Sequence, residues 1–194
     1  MTAYTFFDTA IGCCGIAWSD RGVVAVQLPE ADESRTRARL ARRCPNAQLA
    51  PPPPPVARAI AGIVALLRGQ SSDLSAIALD FTRVEAFERR VYEVARTIAP
   101  GGTLSYGEIA QRLGDPLLAR DVGQALGHNP FPLIVPCHRV LAAGGKAGGF
   151  SANGGVTTKL RLLTIERART SDTPTLFEGD PAFALAAKPR RRSR

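Results

Sequence analysis

The sequence predicts an α/β N-terminal part followed by a mainly α second part. Three observations point there: short β-rich runs before residue 30, helical apolar periodicity after residue 82, and a proline stretch at 51–55 between them. A chain of 194 residues with 45% hydrophobic content can bury a real core, as one domain or two small ones.

TAYTFFDTA, GIAWSD and GVVAVQLP are rich in β-branched and aromatic residues and are separated by Gly and Asp, so they read as a small antiparallel sheet. Ser34 to Arg43 reads as a basic helix. PPPPP at 51–55 is expected to be an extended polyproline connector. Val56, Ile60, Ile63, Val64 and Leu67 form a helical stripe closed by Gly69, and ALDF at 78–81 reads as one more strand. In the second part Phe87, Val91, Val94 and Ile98 recur at helical spacing up to Pro100-Gly101-Gly102. Ser105 with Glu108 three residues on makes a capping box, and Asp115-Pro116 supplies the cap and first residue of another helix. Small residues Ala119, Gly123 and Ala125 allow close packing, and the two short helices read as helix-turn-helix. The expected boundaries are 1–81, 82–169, and a basic, disordered tail at 170–194 ending in KPRRRSR.

A net charge of +8 favours an anionic partner. The first thirty residues lack a basic segment followed by an uninterrupted apolar one, and no stretch approaches a membrane span, so a cytoplasmic protein is expected. Four cysteines, two of them adjacent at Cys13 and Cys14, do not make a disulfide framework. Zinc is not expected, because the two histidines, His128 and His138, share no ligand spacing with a CxxC pair. Cys13, Cys14 and Cys44 read as buried structural thiols.

Cys137 differs, because VPCHRV sets it beside an imidazole and a guanidinium. Pro136 suits the first position of a helix or turn, which would bring the sulfur near unpaired backbone N–H groups and lower its pKa from about 8.5. Arg139 adds positive potential. Neighbouring residues on a helix do not face one another, so proton transfer to His138 needs a bridging water or a non-helical turn.

Phe87 through Tyr106, then ARDVGQALGHNPFPLIVPCHRV, GGFS and KLRLLTIE, resembles the O6-alkylguanine-DNA alkyltransferases, also called methylated-DNA–protein-cysteine methyltransferases. The resemblance covers about residues 82–168 and PCHRV is its most specific motif; residues 1–81 match the family's variable N-terminal part only loosely. It implies a ribonuclease H-like N-terminal domain and a winged-helix-like, DNA-binding catalytic domain. It implies direct, irreversible, single-turnover transfer of an alkyl group, a methyl group above all, from O6-alkylguanine in duplex DNA, or from O4-alkylthymine, to the protein's own cysteine after base flipping. Neither cofactor nor metal is implied, no membrane is involved, and the protein is expected to act as a monomer on double-stranded DNA.

The resemblance also implies roles. Cys137 corresponds to the nucleophile and alkyl acceptor, His138 to the base reaching it through water, and Glu166 to the carboxylate that orients that histidine. Tyr106 corresponds to the hydroxyl that assists the flipped guanine and also contacts DNA. Ser151, Phe150 and Val140 are placed with the substrate pocket, as is Asn129, which braces the turn ahead of the active-site strand. Arg120 corresponds to the intercalating finger, with Ala119 and Gly123 on the same DNA-facing helix.

The chain departs from the family at Asp121, where a small apolar residue is usual, at His128, where arginine is common, and at Phe150, where tyrosine is more familiar. The first two reduce positive charge on the DNA face. Two alternatives stay open: a lesion-recognition or regulatory winged-helix protein that transfers poorly, and a cysteine hydrolase built on Cys137, His138 and Glu166.

Overall fold

The computed structural model describes residues 1–168. The basic tail expected at 170–194 lies outside the described residues.

Strands β1 (Ala3–Thr9), β2 (Gly12–Ser19) and β3 (Gly22–Gln27) form an antiparallel meander, and β4 (Gln48–Leu49) joins β1 in parallel, giving the order β3-β2-β1-β4. Period-two alternation separates the faces. Cys14, Ile16 and Trp18 of β2 enter the main core, whereas Ala17 packs with Ala25, Leu40 and Cys44 on the other side. Helix α1 (Glu33–Arg43) covers that second side. Its start is set by Asp32, whose carboxylate accepts from Arg35 N at 2.8 Å. Gly22 is required twice over: its φ is +138°, and a Cβ there would lie 2.5 Å from Ala78 O.

The proline stretch divides differently from the expectation. Pro51 to Pro53 are extended, but Pro54 and Pro55 open helix α2 (Pro54–Leu67). At a helix start proline's missing N–H costs nothing and its fixed φ is already helical. ALDF is also shorter as a strand than expected, pairing with β3 through one isolated bridge, Val23 to Leu79. Asp80 turns away to accept from Ser19 and Thr82, which ends the pairing.

Helix α3 (Ala86–Ala95) stops earlier than the apolar spacing suggests, and Ile98 is buried from the turn beyond it. Strand β5 (Leu104–Ser105) leads into α4 (Tyr106–Arg112), whose expected capping box is complete: Ser105 Oγ accepts from Glu108 N at 3.1 Å and Ser105 N donates back to Glu108 at 2.6 Å. Asp115 caps a 3₁₀ turn, Pro116–Leu118, that runs into α5 (Ala119–Gly127). Strand β6 (Val140–Leu141) pairs in parallel with β5, and α6 (Gly155–Ile165) closes the described chain.

One apolar core crosses residue 81. It joins Ile16 and Val26 of the sheet, Ile63 and Leu66 of α2, and Tyr92, Ile109, Val122, Phe131 and Leu162 of the second part. Each fully buried large side chain contributes about 2 kcal/mol. Polar ties reinforce the seam: Val26 N donates to Pro130 O at 2.8 Å, Arg96 to Ile77 O at 2.7 Å, and Arg161 to Ala10 O at 2.9 Å. Among the described residues no helix is long and apolar enough to cross a membrane.

Candidate active site

Four of the residues singled out in the sequence converge on the segment 129–139. Asn129, itself buried, holds the approach: its amide Nδ2 donates to Val135 O at 2.8 Å, and its Oδ1 accepts from Phe131 N at 2.9 Å. Between these anchors Leu133 adopts φ 74°, an uncommon conformation for a residue with a side chain, and Val135 N closes the loop onto Phe131 O at 2.8 Å. The chain then leaves through Pro136 into a single 3₁₀ turn, Cys137–Arg139, in which all three residues are buried.

A cavity of about 270 Å³ opens onto Cys137. Tyr106 at the start of α4 forms one wall, Gly123, Leu126 and Gly127 of α5 another, and Gly149, Phe150 and Ser151 the third. Two of the expected pocket residues lie elsewhere. Asn129 and Val140 are buried behind the thiol and line no part of this cavity; Val140 has no exposed surface because β6 pairs with β5 there. Arg120 is exposed on α5, three residues before Gly123 and seven before Gly127, so it shares their helical face, although it does not line the cavity. Ala119 is half-buried beside it.

Behind the thiol, His138 Nε2 lies 3.0 Å from Glu166 Oε1, and both side chains are almost wholly buried. His138 Nδ1 is buried with no hydrogen-bond partner. Arg139 grips the same carboxylate twice, Nε to Oε2 at 2.7 Å and Nη2 to Oε1 at 2.8 Å, and its Nη1 donates to Ile98 O at 2.5 Å. Burial alone would raise the Glu166 pKa, but the bonds from His138 and Arg139 override it and hold the carboxyl down at about 2. Burial also lowers the His138 pKa, against the pull of Glu166, so the imidazole is neutral near pH 7. A neutral ring that donates from Nε2 to Glu166 keeps the lone pair of Nδ1 free to accept a proton.

The thiol itself corrects the sequence reading. Burial raises the Cys137 pKa, outweighing the Asn129 side chain, the Lys159 charge and the backbone N–H groups that favour thiolate. Arg139 is not the source of positive potential, since its guanidinium is committed to Glu166. The nearby charge that does act on the thiol is Lys159, a residue the sequence reading passed over. It stands seven positions before Glu166, two helical turns away on the same face of α6, and that spacing was the available signal. All four cysteines are free thiols, as expected, although Cys13 is only half-buried.

On the outer side of α5, Asp121 is exposed in the first turn, and His128 Nδ1 lies 3.5 Å from Glu88. Asp121 therefore sits where the helix dipole favours a carboxylate.

A buried thiol faced by a pocket, backed by a neutral imidazole and a clamped carboxylate, and flanked by a helix-turn-helix, defines a cysteine-centred site built beside a surface helix. Comparison with known proteins agrees. Residues 86–168 match the family described as 6-O-methylguanine DNA methyltransferase, DNA binding domain. The chain is 45% identical over 125 residues to a methylated-DNA–protein-cysteine methyltransferase of Mycolicibacterium paratuberculosis, covering 62% of this chain and 73% of that protein. It is 36% identical over 152 residues to the protein of that name from Methanothermobacter thermautotrophicus, covering 78% of each. Among solved structures, the Mycobacterium tuberculosis protein OGT in complex with DNA aligns with a TM-score of 0.68 at 33% identity, over 84% of this chain and 92% of that one. The chain belongs to the methylated-DNA–protein-cysteine methyltransferase family.

Proposed function

We propose that the protein repairs DNA by moving an alkyl group from O6 of guanine in duplex DNA onto Cys137, once per molecule. The observation that supports this best is the alignment of one buried thiol between a cavity and a His138–Glu166 pair whose free nitrogen is Nδ1.

The steps balance. Cys137 gives its proton to His138 Nδ1 through a bridging water, and Glu166 stabilises the imidazolium so formed. The thiolate attacks the carbon bound to O6; the S–C bond forms as the C–O6 bond breaks, and the electron pair leaves with guanine. Guanine takes a proton or hydrogen bonds from Tyr106 and Ser151. Burial, and then the charge of Cys137, raise the Tyr106 pKa, which keeps its hydroxyl protonated as a donor. The resulting thioether is a very poor leaving group, so no step regenerates the thiol.

A stacked base does not reach an enclosed sulfur. Flipping it costs a few kcal/mol, and Arg120 is read as filling the gap it leaves. Its place on the face of α5 that carries Gly123 and Gly127 supports this reading. The segment 82–169 is read as a winged-helix-like catalytic domain, on the strength of α4, α5 and the short β5–β6 pair. Residues 1–81 are read as a ribonuclease H-like domain, on the β3-β2-β1-β4 order with β4 parallel to β1. Recognition of lesions without transfer is not favoured, because the cavity carries the thiol of Cys137 and the His138–Glu166 pair suits its activation.

Incubation with a duplex bearing O6-methylguanine, followed by intact-mass and peptide mapping, tests the proposal. One methyl group on Cys137 per protein is the expected result; turnover without an adduct would support hydrolysis instead.

A further inference from the structure

We propose that the cavity at the seam between the sheet and the helical part is a binding site for a small organic phosphate, with Arg43 and Arg83 as its anion clamp. It shares no lining residue with the cavity at Cys137, and the inference does not depend on alkyl transfer.

The seam cavity encloses about 510 Å³, against about 270 Å³ for the one at Cys137. That is the size of a small-molecule site, and such sites favour places where two parts of a chain meet. Its floor is closed by Ala25, Cys44 and Phe131, all buried. Arg43 is the last residue of α1, and Arg83 lies in the segment leading into α3, so each part of the chain lines the cavity with a cation. Other arginines of α1 are matched: Arg35 pairs with Asp32, Arg37 with Glu33, and Arg39 with Glu30. Arg43 and Arg83 form no ion pair among the described residues, and Arg43 Nη1 makes one long bond, 3.4 Å, to Val26 O. The carboxylates that line the cavity are placed elsewhere. Asp80 accepts from Ser19 and Thr82, Glu88 lies 3.5 Å from His128, and Asp20 is exposed on the β2–β3 turn beside Arg21.

The potential at the floor follows from this arrangement. Burial raises the Cys44 pKa and keeps the thiol neutral, while Arg83 and Arg43 both pull the other way. The floor is thus held at positive potential by two guanidinium groups and has no anion of its own. Burial, and then the charge of Arg39, lower the Arg43 pKa, so an incoming anion relieves a cation that is short of both water and partners. Two such groups are matched by one phosphate monoester, which carries about −1.5 to −2 charges at pH 7 and three acceptor oxygens. A carboxylate or a backbone phosphodiester brings about one charge. The guanidinium fork suits phosphate oxygens, and the apolar floor with Val84 leaves room for the organic part. Pro130 and Phe131 also line the cavity, so an occupant rests against both parts of the chain and stabilises the fold on binding.

The full chain is titrated with adenosine monophosphate at constant ionic strength, followed by backbone-amide NMR and thermal unfolding. Saturable shifts are expected at Asn46, Ala47 and Val84, with a rise in Tm. Adenosine, which lacks the phosphate, is expected to leave those signals in place. Arg43→Gln and Arg83→Gln are each expected to weaken binding about tenfold or more, whereas Arg42→Gln, on the same helix end but outside this cavity, leaves it unchanged. Shifts that fall elsewhere, or that sodium chloride of the same ionic strength reproduces, overturn the site. Succinate binding as tightly as adenosine monophosphate overturns the preference for phosphate. An undamaged duplex that binds more tightly with the same dependence on Arg43 and Arg83 assigns the clamp to backbone phosphates and overturns the small ligand. Mapping on the wild type decides the matter even where a variant fails to fold.

Discussion

Glu166 meets His138 at 3.0 Å on the same carboxylate that Arg139 clamps from the other side. The arginine offsets the charge of the buried, ionised carboxylate, and in the proposed transfer the histidine is the group whose protonation changes. An ion pair alone would be weak evidence of function, since buried pairs also serve folding. The third partner, an imidazole whose Nδ1 has no hydrogen-bond partner, is what supports the proposed relay.

Cys137→Ala is expected to abolish alkyl uptake while duplex binding persists, because the sulfur is the proposed acceptor and is buried rather than presented on the surface. Mass spectrometry and a binding titration on the same sample check this. Methyl uptake at the wild-type rate would sink the mechanism.

Glu166→Gln is expected to slow transfer most near neutral pH, with partial recovery in alkali where thiolate forms without help. The same change alters acid stability. The folded-state pKa of Glu166, about 2, is below its unfolded value, so its contribution is full above the unfolded pKa and is lost as pH falls toward 2. That contribution is on the order of 3 kcal/mol. Denaturant melts between pH 6 and about pH 3 should show a steeper decline for the wild type than for Glu166→Gln.

Asn129→Ala is expected to destabilise the protein by about 1–3 kcal/mol, because it leaves Phe131 N buried without its partner and takes one of two donors from Val135 O, which keeps Cys137 N. Thermal unfolding measures this. Transfer should fall as well, since the turn that presents Cys137 would lose its brace, and a variant of unchanged stability would show that the brace is dispensable.

Arg120→Ala is expected to slow transfer from duplex DNA by at least tenfold, yet hardly change reaction with a free O6-alkylguanine, which has no stack to leave. Equal slowing of both substrates would mean that the arginine supports the pocket itself. Asp121→Ala refines the picture: tighter duplex binding at an undiminished rate marks repulsion of phosphate, whereas a slower rate marks a carboxylate that positions the finger.

Local signals were legible where the chain interacts with itself at short range. The capping box at Ser105 and Glu108, the cap at Asp115 and the span of α1 all depend on contacts within four residues, and the structure repeats them closely. Pro54 and Pro55 were misread because a proline run looks extended until the helix that follows recruits its last members. The ALDF strand shrank to a bridge because strand length depends on tertiary partners, and Asp80 bonds to Ser19 and Thr82 just past the Val23–Leu79 pair.

By itself the sequence determined the chemistry available: a thiol next to an imidazole after a proline, a carboxylate on a later helix, and an arginine on the second helix of a helix-turn-helix. The motif also carried the family. Only the tertiary structure decided how those groups are charged. Cys137 is pushed toward thiol by burial rather than toward thiolate by a helix end, Arg139 is spent on Glu166, and Lys159 supplies the positive charge near the sulfur. The reason is physical: pKa values follow desolvation and the nearest charges in space, and both depend on contacts between residues that the chain separates by 20 positions or more.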